Sequence, residues 1–123
     1  MEFIETPAFT LHLPDYLTDS GYRELQARLA ANPEVGDVMP GTGGFRKMRW
    51  ADLRRGKGRR GGLRIIYYYF SSDHQIWLMT LYDKNEAADL TPAAKKALKS
   101  GIEGELKARA AKRVRVSRSR RVQ

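Results

Sequence analysis

The run Leu63–Phe70, LRIIYYYF, is the feature that most constrains the fold of this chain. Two glycines precede it and a polar stretch, residues 71–74, follows it. β-Branched and aromatic residues favour extended backbone, and eight residues are enough for a full strand. Side chains alternate between the faces of a strand, so the odd-numbered residues share one face and the even-numbered ones, including Arg64, share the other. The run therefore predicts a sheet strand with an arginine fixed near its start.

Further strands are predicted on either side of this run. Residues 45–50 alternate, with Lys47 and Arg49 on one face and Arg46 on the other. Residues 75–82 follow after a short connection, which favours antiparallel pairing. An N-terminal run, residues 3–9, gives a further strand, interrupted by a proline. We expect a small antiparallel sheet of about four strands.

Helices are predicted before and after these strands. Residues 18–20 offer N-caps to a helix over 21–31, whose apolar residues form one stripe. Pro14 could open a shorter helix before it. Thr91-Pro92 supplies a cap and a first-turn proline for a C-terminal helix, which two glycines weaken beyond residue 100. The expected class is α+β, with N-terminal helices and a C-terminal helix packed against the sheet.

Charge is distributed unevenly along the chain. Residues 46–64 hold nine Lys or Arg and one acidic residue, whereas residues 1–45 are net acidic. Residues 112–123 add six basic groups and no acid. We expect one domain over residues 1–111 and a disordered basic tail over 112–123. A dense positive stripe attracts phosphates, so the sequence indicates nucleic-acid binding.

Strand alternation divides the stripe into an ordered part and a glycine-rich loop. Lys47, Arg49 and Arg64 lie on predicted strands, and they would converge if those strands are adjacent. A fixed guanidinium binds two phosphate oxygens and stabilises charge that develops during phosphoryl transfer. The alternative is that Arg64 pairs with a carboxylate. The loop cations are expected to grip phosphates, or else to serve solubility alone: Arg54, Arg55, Lys57, Arg59 and Arg60.

The segment YDKNE, residues 82–86, ends the last predicted strand. Strand ends often carry functional groups. Lys84 is a candidate fourth cation, and Tyr82 could stack on a base or donate a proton. The alternative is a polar strand end that only leads to the final helix.

Several classes of site are not expected. The chain has no cysteine, which excludes disulfides and thiolate chemistry, and two histidines do not make a usual zinc site. We expect no metal and no cofactor. The N-terminus lacks a secretory signal, and no stretch approaches a membrane span. A cytoplasmic protein without a membrane partner is the expectation.

Three blocks of the sequence together resemble the HigB branch of the RelE-type bacterial toxins. They are GTGGFRK at 41–47, RGGLRIIYY at 60–68, and YDKNE at 82–86 with DLT at 89–91. The resemblance covers roughly residues 1–105. It implies a small antiparallel sheet with helices on one face. It also implies a protein that enters the ribosomal A site, cuts messenger RNA there, and is neutralised by a cognate antitoxin encoded by the adjacent gene.

The resemblance assigns roles to individual residues. Arg64 matches the strand arginine that stabilises the transition state, and Lys47 and Arg49 match a basic pair on the preceding strand. Lys84 falls in the basic segment after the last strand. The tyrosine that RelE carries near its final helix would fall close to Thr91, so Tyr82 is the possible substitute. RNA contacts are expected from Arg46, Arg54, Arg55, Lys57, Arg59, Arg60 and Asn85.

Two alternatives remain open at the level of the sequence. ParE-type relatives share the architecture and poison DNA gyrase, although the set of cations favours RNA cleavage. A non-catalytic RNA- or DNA-binding module would also account for the basic charge.

Overall fold

A computed structural model describes residues 1–51, 62–85 and 90–122, with side chains to residue 116. The described residues form three helices and five strands, an α+β fold as the sequence predicts. The strands are β1 (Glu2–Glu5), β2 (Asp37–Val38), β3 (Arg46–Trp50), β4 (Leu63–Phe70) and β5 (Gln75–Asp83). The helices are α1 (Pro7–Tyr16), α2 (Asp19–Ala31) and α3 (Pro92–Val122).

The five strands form one mixed sheet in the order β1-β5-β4-β3-β2. β3, β4 and β5 are joined by antiparallel pairing, as predicted, and β2, which the sequence does not predict, pairs antiparallel with β3. β1 pairs with β5 in parallel, so the prediction of a purely antiparallel sheet of about four strands is wrong at this edge. Parallel pairing is possible there because a long stretch of chain separates β1 from β5.

The N-terminal run divides into a strand and a helix, which corrects the prediction of one strand over residues 3–9. β1 ends at Glu5, and Thr6 caps α1 by accepting a hydrogen bond at Oγ1 from the backbone N–H of Phe9 at 3.2 Å. Pro7 occupies the first turn of α1, where its missing N–H costs nothing. Phe9 is fully buried in the core, so tertiary packing supports this short helix.

One face of β4 forms the core with the first two helices. Leu63, Ile65 and Tyr67 are fully buried, and they belong to one cluster with Phe9 of α1 and Leu25 of α2. The alternation predicted for Leu63–Phe70 is therefore confirmed. The other face carries Arg64 near the start of the strand.

The C-terminal helix is longer than the sequence predicts. α3 continues to Val122, where a disordered tail over residues 112–123 is expected. Its start agrees with the prediction, because Thr91 accepts a hydrogen bond from the N–H of Ala94 at 3.1 Å. The chain forms two compact units, and α3 belongs to the second with residues 40–43. Within that unit, Gly43 lies against buried Ile102.

Tyr67 fixes the segment that leads into β2. Its hydroxyl donates to the carbonyl of Pro33 at 2.8 Å and accepts from the N–H of Gly36 at 2.9 Å. A Cβ at Gly36 would lie 2.9 Å from the Tyr67 ring and 3.1 Å from the carbonyl oxygen of Lys47, so glycine is required there. Burial raises the pKa of Tyr67, because ionising the phenol would leave a charge in the core.

We expect Tyr67→Phe to lower the free energy of unfolding by about 1–3 kcal/mol at neutral pH, since it leaves two buried backbone groups without the hydroxyl. The raised pKa of Tyr67 means that the folded state prefers the neutral phenol. This stability is therefore complete below about pH 10, the unfolded value, and is lost as pH rises towards the folded pKa.

Urea unfolding of both proteins at a series of pH values tests this prediction. The difference between wild type and Tyr67→Phe should shrink above about pH 10. A difference in the free energy of unfolding that grows with pH would show that the folded state does not favour the neutral phenol of Tyr67.

Candidate functional site

A cleft of about 670 Å³ lies within the first compact unit, where α2 and the strands β2 to β5 contribute side chains. Its described lining is dominated by basic and aromatic groups. The lining residues are Arg28, Val35, Asp37, Lys47, Met48, Arg49, Trp50, Arg64, Tyr82 and Lys84.

Three of these residues form a row across the middle of the sheet. Arg49 of β3 lies directly opposite Arg64 of β4, and Arg64 lies directly opposite Tyr82 of β5. Directly paired residues share one face, with Cβ atoms about 4.5–5.5 Å apart. The Arg64 guanidinium also donates to the carbonyl of Leu63 at 3.1 Å, which holds it near its own strand. Two guanidinium groups and a phenol are thus presented together from ordered backbone.

A β-bulge in β5 makes this row possible. Ile66 pairs with Thr80 but Tyr67 pairs with Leu78, so Met79 is an extra residue with no directly paired partner. The bulge switches which residues of β5 face the core: Leu81 is buried on one side of it and Leu78 on the other. Without the extra residue, burying Leu78 would turn Tyr82 away from Arg64.

Thr6, which directly follows β1, forms two hydrogen bonds to the backbone of this bulge. Its hydroxyl donates to the carbonyl of Met79 at 2.7 Å, and its N–H donates to the carbonyl of Leu78 at 3.1 Å. The residue that caps α1 therefore also fixes the backbone irregularity on which the orientation of Tyr82 depends.

Lys47 brings a third cation to the same face of the sheet. It lies two residues before Arg49 on β3, and it pairs directly with Asp37 of β2. Asp37 is the one carboxylate among the described lining residues. An opposite charge beside Lys47 stabilises the end of the sheet, in contrast to the like charges of Arg49 and Arg64.

The end of β5 holds Lys84 in a defined turn. The N–H of Lys84 donates to the carbonyl of Gly62 at 2.9 Å, which extends the pairing of β4 and β5. The preceding carboxylate, Asp83, is fully buried and accepts at Oδ1 from the N–H of Asn85 at 2.8 Å. These bonds fix the backbone on both sides of Lys84, while its side chain remains exposed.

The charge of the cleft is strongly positive. Five cations line its described part, from Arg28, Lys47, Arg49, Arg64 and Lys84, against the single carboxylate of Asp37. Clustered like charges repel one another unless an anion lies between them. A concave site of this kind attracts phosphate groups and holds them against fixed donors.

The structure brings together all five residues that the sequence predicts as catalytic: Lys47, Arg49, Arg64, Tyr82 and Lys84. Arg46 is placed elsewhere. It pairs with Tyr67 on the core face, and its guanidinium donates to the carbonyls of Gly36 at 2.8 Å and Glu34 at 3.2 Å. Asn85 is exposed and does not line the cleft in the described residues. The predicted RNA-binding residues Arg54, Arg55, Lys57, Arg59 and Arg60 lie outside the described residues.

Arg28 and Asp37 are lining residues that the sequence reasoning missed. Arg28 lies beside buried Leu29 in the last turn of α2, so its position at the edge of the apolar stripe was an available signal. Asp37 gave no comparable signal, because β2 has two residues and lies in a glycine- and proline-rich segment.

Other kinds of site find no support in the described part of the chain. No group of three or more His, Asp or Glu side chains is placed there to hold a metal ion. Among the helices described, none is both long and apolar enough to cross a membrane. No protein-family model matches the chain.

We expect Arg49→Gln to stabilise the fold at low ionic strength by about 0.2–1 kcal/mol, because it removes a like charge directly opposite Arg64. Lys47→Gln is the matched control on the same strand. It should leave stability unchanged or lower it, because Lys47 faces Asp37.

Urea unfolding at about 0.02 M and about 0.5 M salt measures both effects, and screening should remove the gain of Arg49→Gln at the higher concentration. Inorganic phosphate should stabilise the wild type more than Arg49→Gln. A loss of stability in Arg49→Gln at low salt would show that the two guanidiniums do not repel in the folded protein.

Proposed function

We propose that this protein is a ribosome-dependent messenger RNA endoribonuclease, a toxin that inhibits translation and is neutralised by a cognate antitoxin. The observation that carries the proposal is the convergence of Lys47, Arg49, Arg64 and Lys84 with Tyr82 in one cleft. The sequence blocks that resemble the HigB branch of RelE-type toxins contain Lys47, Arg64, Tyr82 and Lys84, and the same resemblance matches Arg49 to a basic residue of the preceding strand. Geometry and resemblance therefore point to one set of side chains.

Strand placement favours catalysis over simple binding. Phosphate binding alone needs only exposed charge, and flexible basic segments supply that. Cleavage needs donors that already occupy their positions when charge develops on the phosphoryl oxygens. Arg49 and Arg64 suit this need, because they lie on paired strands whose direct register fixes the backbone from which both side chains extend.

The proposed reaction uses a nucleophile from the substrate. The 2′-hydroxyl of a messenger nucleotide attacks the adjacent phosphorus, the bond to the 5′-oxygen breaks, and the products are a 2′,3′-cyclic phosphate and a free 5′-hydroxyl. Arg64 and Arg49 stabilise the negative charge on the non-bridging oxygens. One proton must leave the 2′-hydroxyl and one must reach the 5′-oxygen.

Protein groups able to exchange these protons line the same cleft. Lys47, Lys84, Tyr82 and Asp37 all carry exchangeable protons or accept them. The cleft contains neither histidine of the chain among its described lining residues. A histidine pair is therefore not the proposed acid and base, and the ribosome can supply part of the proton transfer.

Alignment by the ribosome explains why partners are part of the proposal. A mobile single strand seldom places its 2′-hydroxyl in line with the scissile bond, and holding it there contributes greatly to rate. We expect weak cleavage of free RNA and efficient cleavage of translated message. The proposed site of action is the cytoplasm, and the proposed partners are the ribosome, messenger RNA and the antitoxin.

We expect Arg64→Ala to lower messenger cleavage by about 100-fold or more, as loss of one transition-state donor does in other enzymes. Arg23→Ala is the matched control, since Arg23 is an exposed arginine of α2 that does not line the described cleft. Induced expression followed by mapping of message 5′ ends measures both variants. Thermal unfolding establishes that each is folded.

Codon-phased cuts with wild type and Arg23→Ala, and their loss in folded Arg64→Ala, support the proposal. Unchanged cutting by Arg64→Ala would contradict the assigned centre. DNA damage without message cuts would favour a gyrase poison. Ribosome binding without any cuts would favour a non-catalytic module.

A further inference from the structure

The C-terminal half of α3 has a charge pattern that the cleft does not explain. α3 contains two acidic residues, Glu103 and Glu105, and both precede residue 106. From residue 106 to the end of the helix at Val122 the sequence has eight Lys or Arg and no acid. We refer to residues 106–122 as the basic half of α3.

The described side chains of the basic half have little tertiary support. Ile102 is buried, but from Leu106 to Val116 every described side chain is exposed except half-buried Arg109. Arg109 pairs with Glu105 one turn earlier at 2.8 Å. The sequence has no acidic side chain within four residues of Lys112, Arg115 or Arg118, so i,i+4 side-chain pairs do not neutralise these three cations.

Helix geometry gives these cations a definite spacing. The basic half is about 25 Å long at 1.5 Å per residue. Lys112, Arg115, Arg118 and Arg121 recur at every third position, so the backbone positions of successive members lie about 4.5 Å apart along the helix axis. Like charges at this spacing destabilise an isolated helix. A polyanion that follows the helix would remove that repulsion.

The apolar residues of the basic half do not suit a membrane surface. The large apolar side chains described as exposed there are Leu106, Val114 and Val116. Val114 and Val116 are separated by about 200° around the helix axis, so these residues do not share one face. An interfacial helix needs one continuous apolar face, commonly with aromatic or leucine side chains. The charge pattern without such a face favours a phosphate backbone over a lipid headgroup layer.

We propose that the basic half of α3 is a docking surface for the phosphate backbone of folded RNA. The basic half belongs to the second compact unit, whereas all described lining residues of the cleft belong to the first. Docking there raises affinity without selecting a base sequence, because phosphate contacts carry no sequence information. If the protein has the proposed function, the folded RNA that binds there is ribosomal RNA, and this identification rests on the proposed function. The binding of folded RNA by the basic half does not depend on it.

The test compares two triple variants of the full chain, both in an Arg64→Ala background so that the RNA stays intact. One variant, K112Q/R115Q/R118Q, removes three charges from the basic half. The matched control, K95Q/K96Q/K99Q, removes three charges from the first half of the same helix. Glutamine keeps helix propensity close to that of Lys and Arg, and far-UV circular dichroism checks that helix content is retained.

Affinity for a base-paired RNA hairpin is measured over a series of salt concentrations. The slope of log K against log salt should fall by about 2–3 in the first variant, because each lost phosphate contact removes close to one unit. It should fall by less than about 1 in the control. An unchanged slope in the first variant, or an equal change in both, would overturn the proposal.

A second measurement determines the affinity of the same proteins for vesicles of phosphatidylserine and phosphatidylcholine. Vesicle binding that is tighter than hairpin binding and is lost in the first variant would make the basic half a lipid-binding helix instead. Message mapping in cells is done with the wild-type chain, which keeps Arg64, and it separates this inference from the proposed function. If messages are cut but the salt slope of K112Q/R115Q/R118Q is unchanged, the docking surface is refuted and the nuclease is not. If the slope changes but no message is cut, the nuclease is refuted and the docking surface is not.

Discussion

The register of β4 between β3 and β5 is the constraint on which the cleft depends. One face of β4 is occupied by fully buried apolar side chains, so the strand cannot slip by one residue without burying Arg64. The same register sets Arg49 and Tyr82 opposite Arg64. Burial of Leu63, Ile65 and Tyr67 on one face of β4 thus fixes Arg64 on the other face, which also holds buried Ile66 and Phe70. The bulge at Met79 lets β5 bury Leu78 in the core and still place Tyr82 on the face that carries Arg64.

The clustered cations of the cleft lower the stability of the fold but suit the binding of a phosphate group. Five cations around one cleft, against one described carboxylate, create repulsion that the hydrophobic core must outweigh. That repulsion also makes the site selective for an anion, because a phosphate relieves it and a neutral ligand does not. Preorganised charge of this kind suits a reaction whose transition state gathers negative charge on phosphoryl oxygens. The basic half of α3 represents a different proposed use of charge, in which many cations contribute affinity for RNA and none takes part in catalysis.

The parts of this structure that local sequence determines could be predicted, and the parts that distant contacts determine could not. β4 has the predicted bounds, because its residues favour a strand on their own. Lys47 and Arg49 could be placed on one face of β3 from alternation, whereas the position of Arg64 beside them depends on the pairing of β3 with β4. The parallel pairing of β1, the bulge at Met79 and the position of Asp37 depend on contacts between residues far apart in sequence. The start of α1 was readable, since Thr6-Pro7 repeats the cap signal that correctly located α3.

The proposed reaction begins with attack by a 2′-hydroxyl of the messenger, so replacing that one hydroxyl tests it. Ribosomes carrying a message with a single 2′-deoxynucleotide at the mapped cleavage position would be compared with the all-RNA message under single-turnover conditions. We predict cleavage of the all-RNA message to a 2′,3′-cyclic phosphate, equal binding of the protein to both complexes, and no cleavage at the deoxynucleotide. Equal cleavage of both messages would contradict the account.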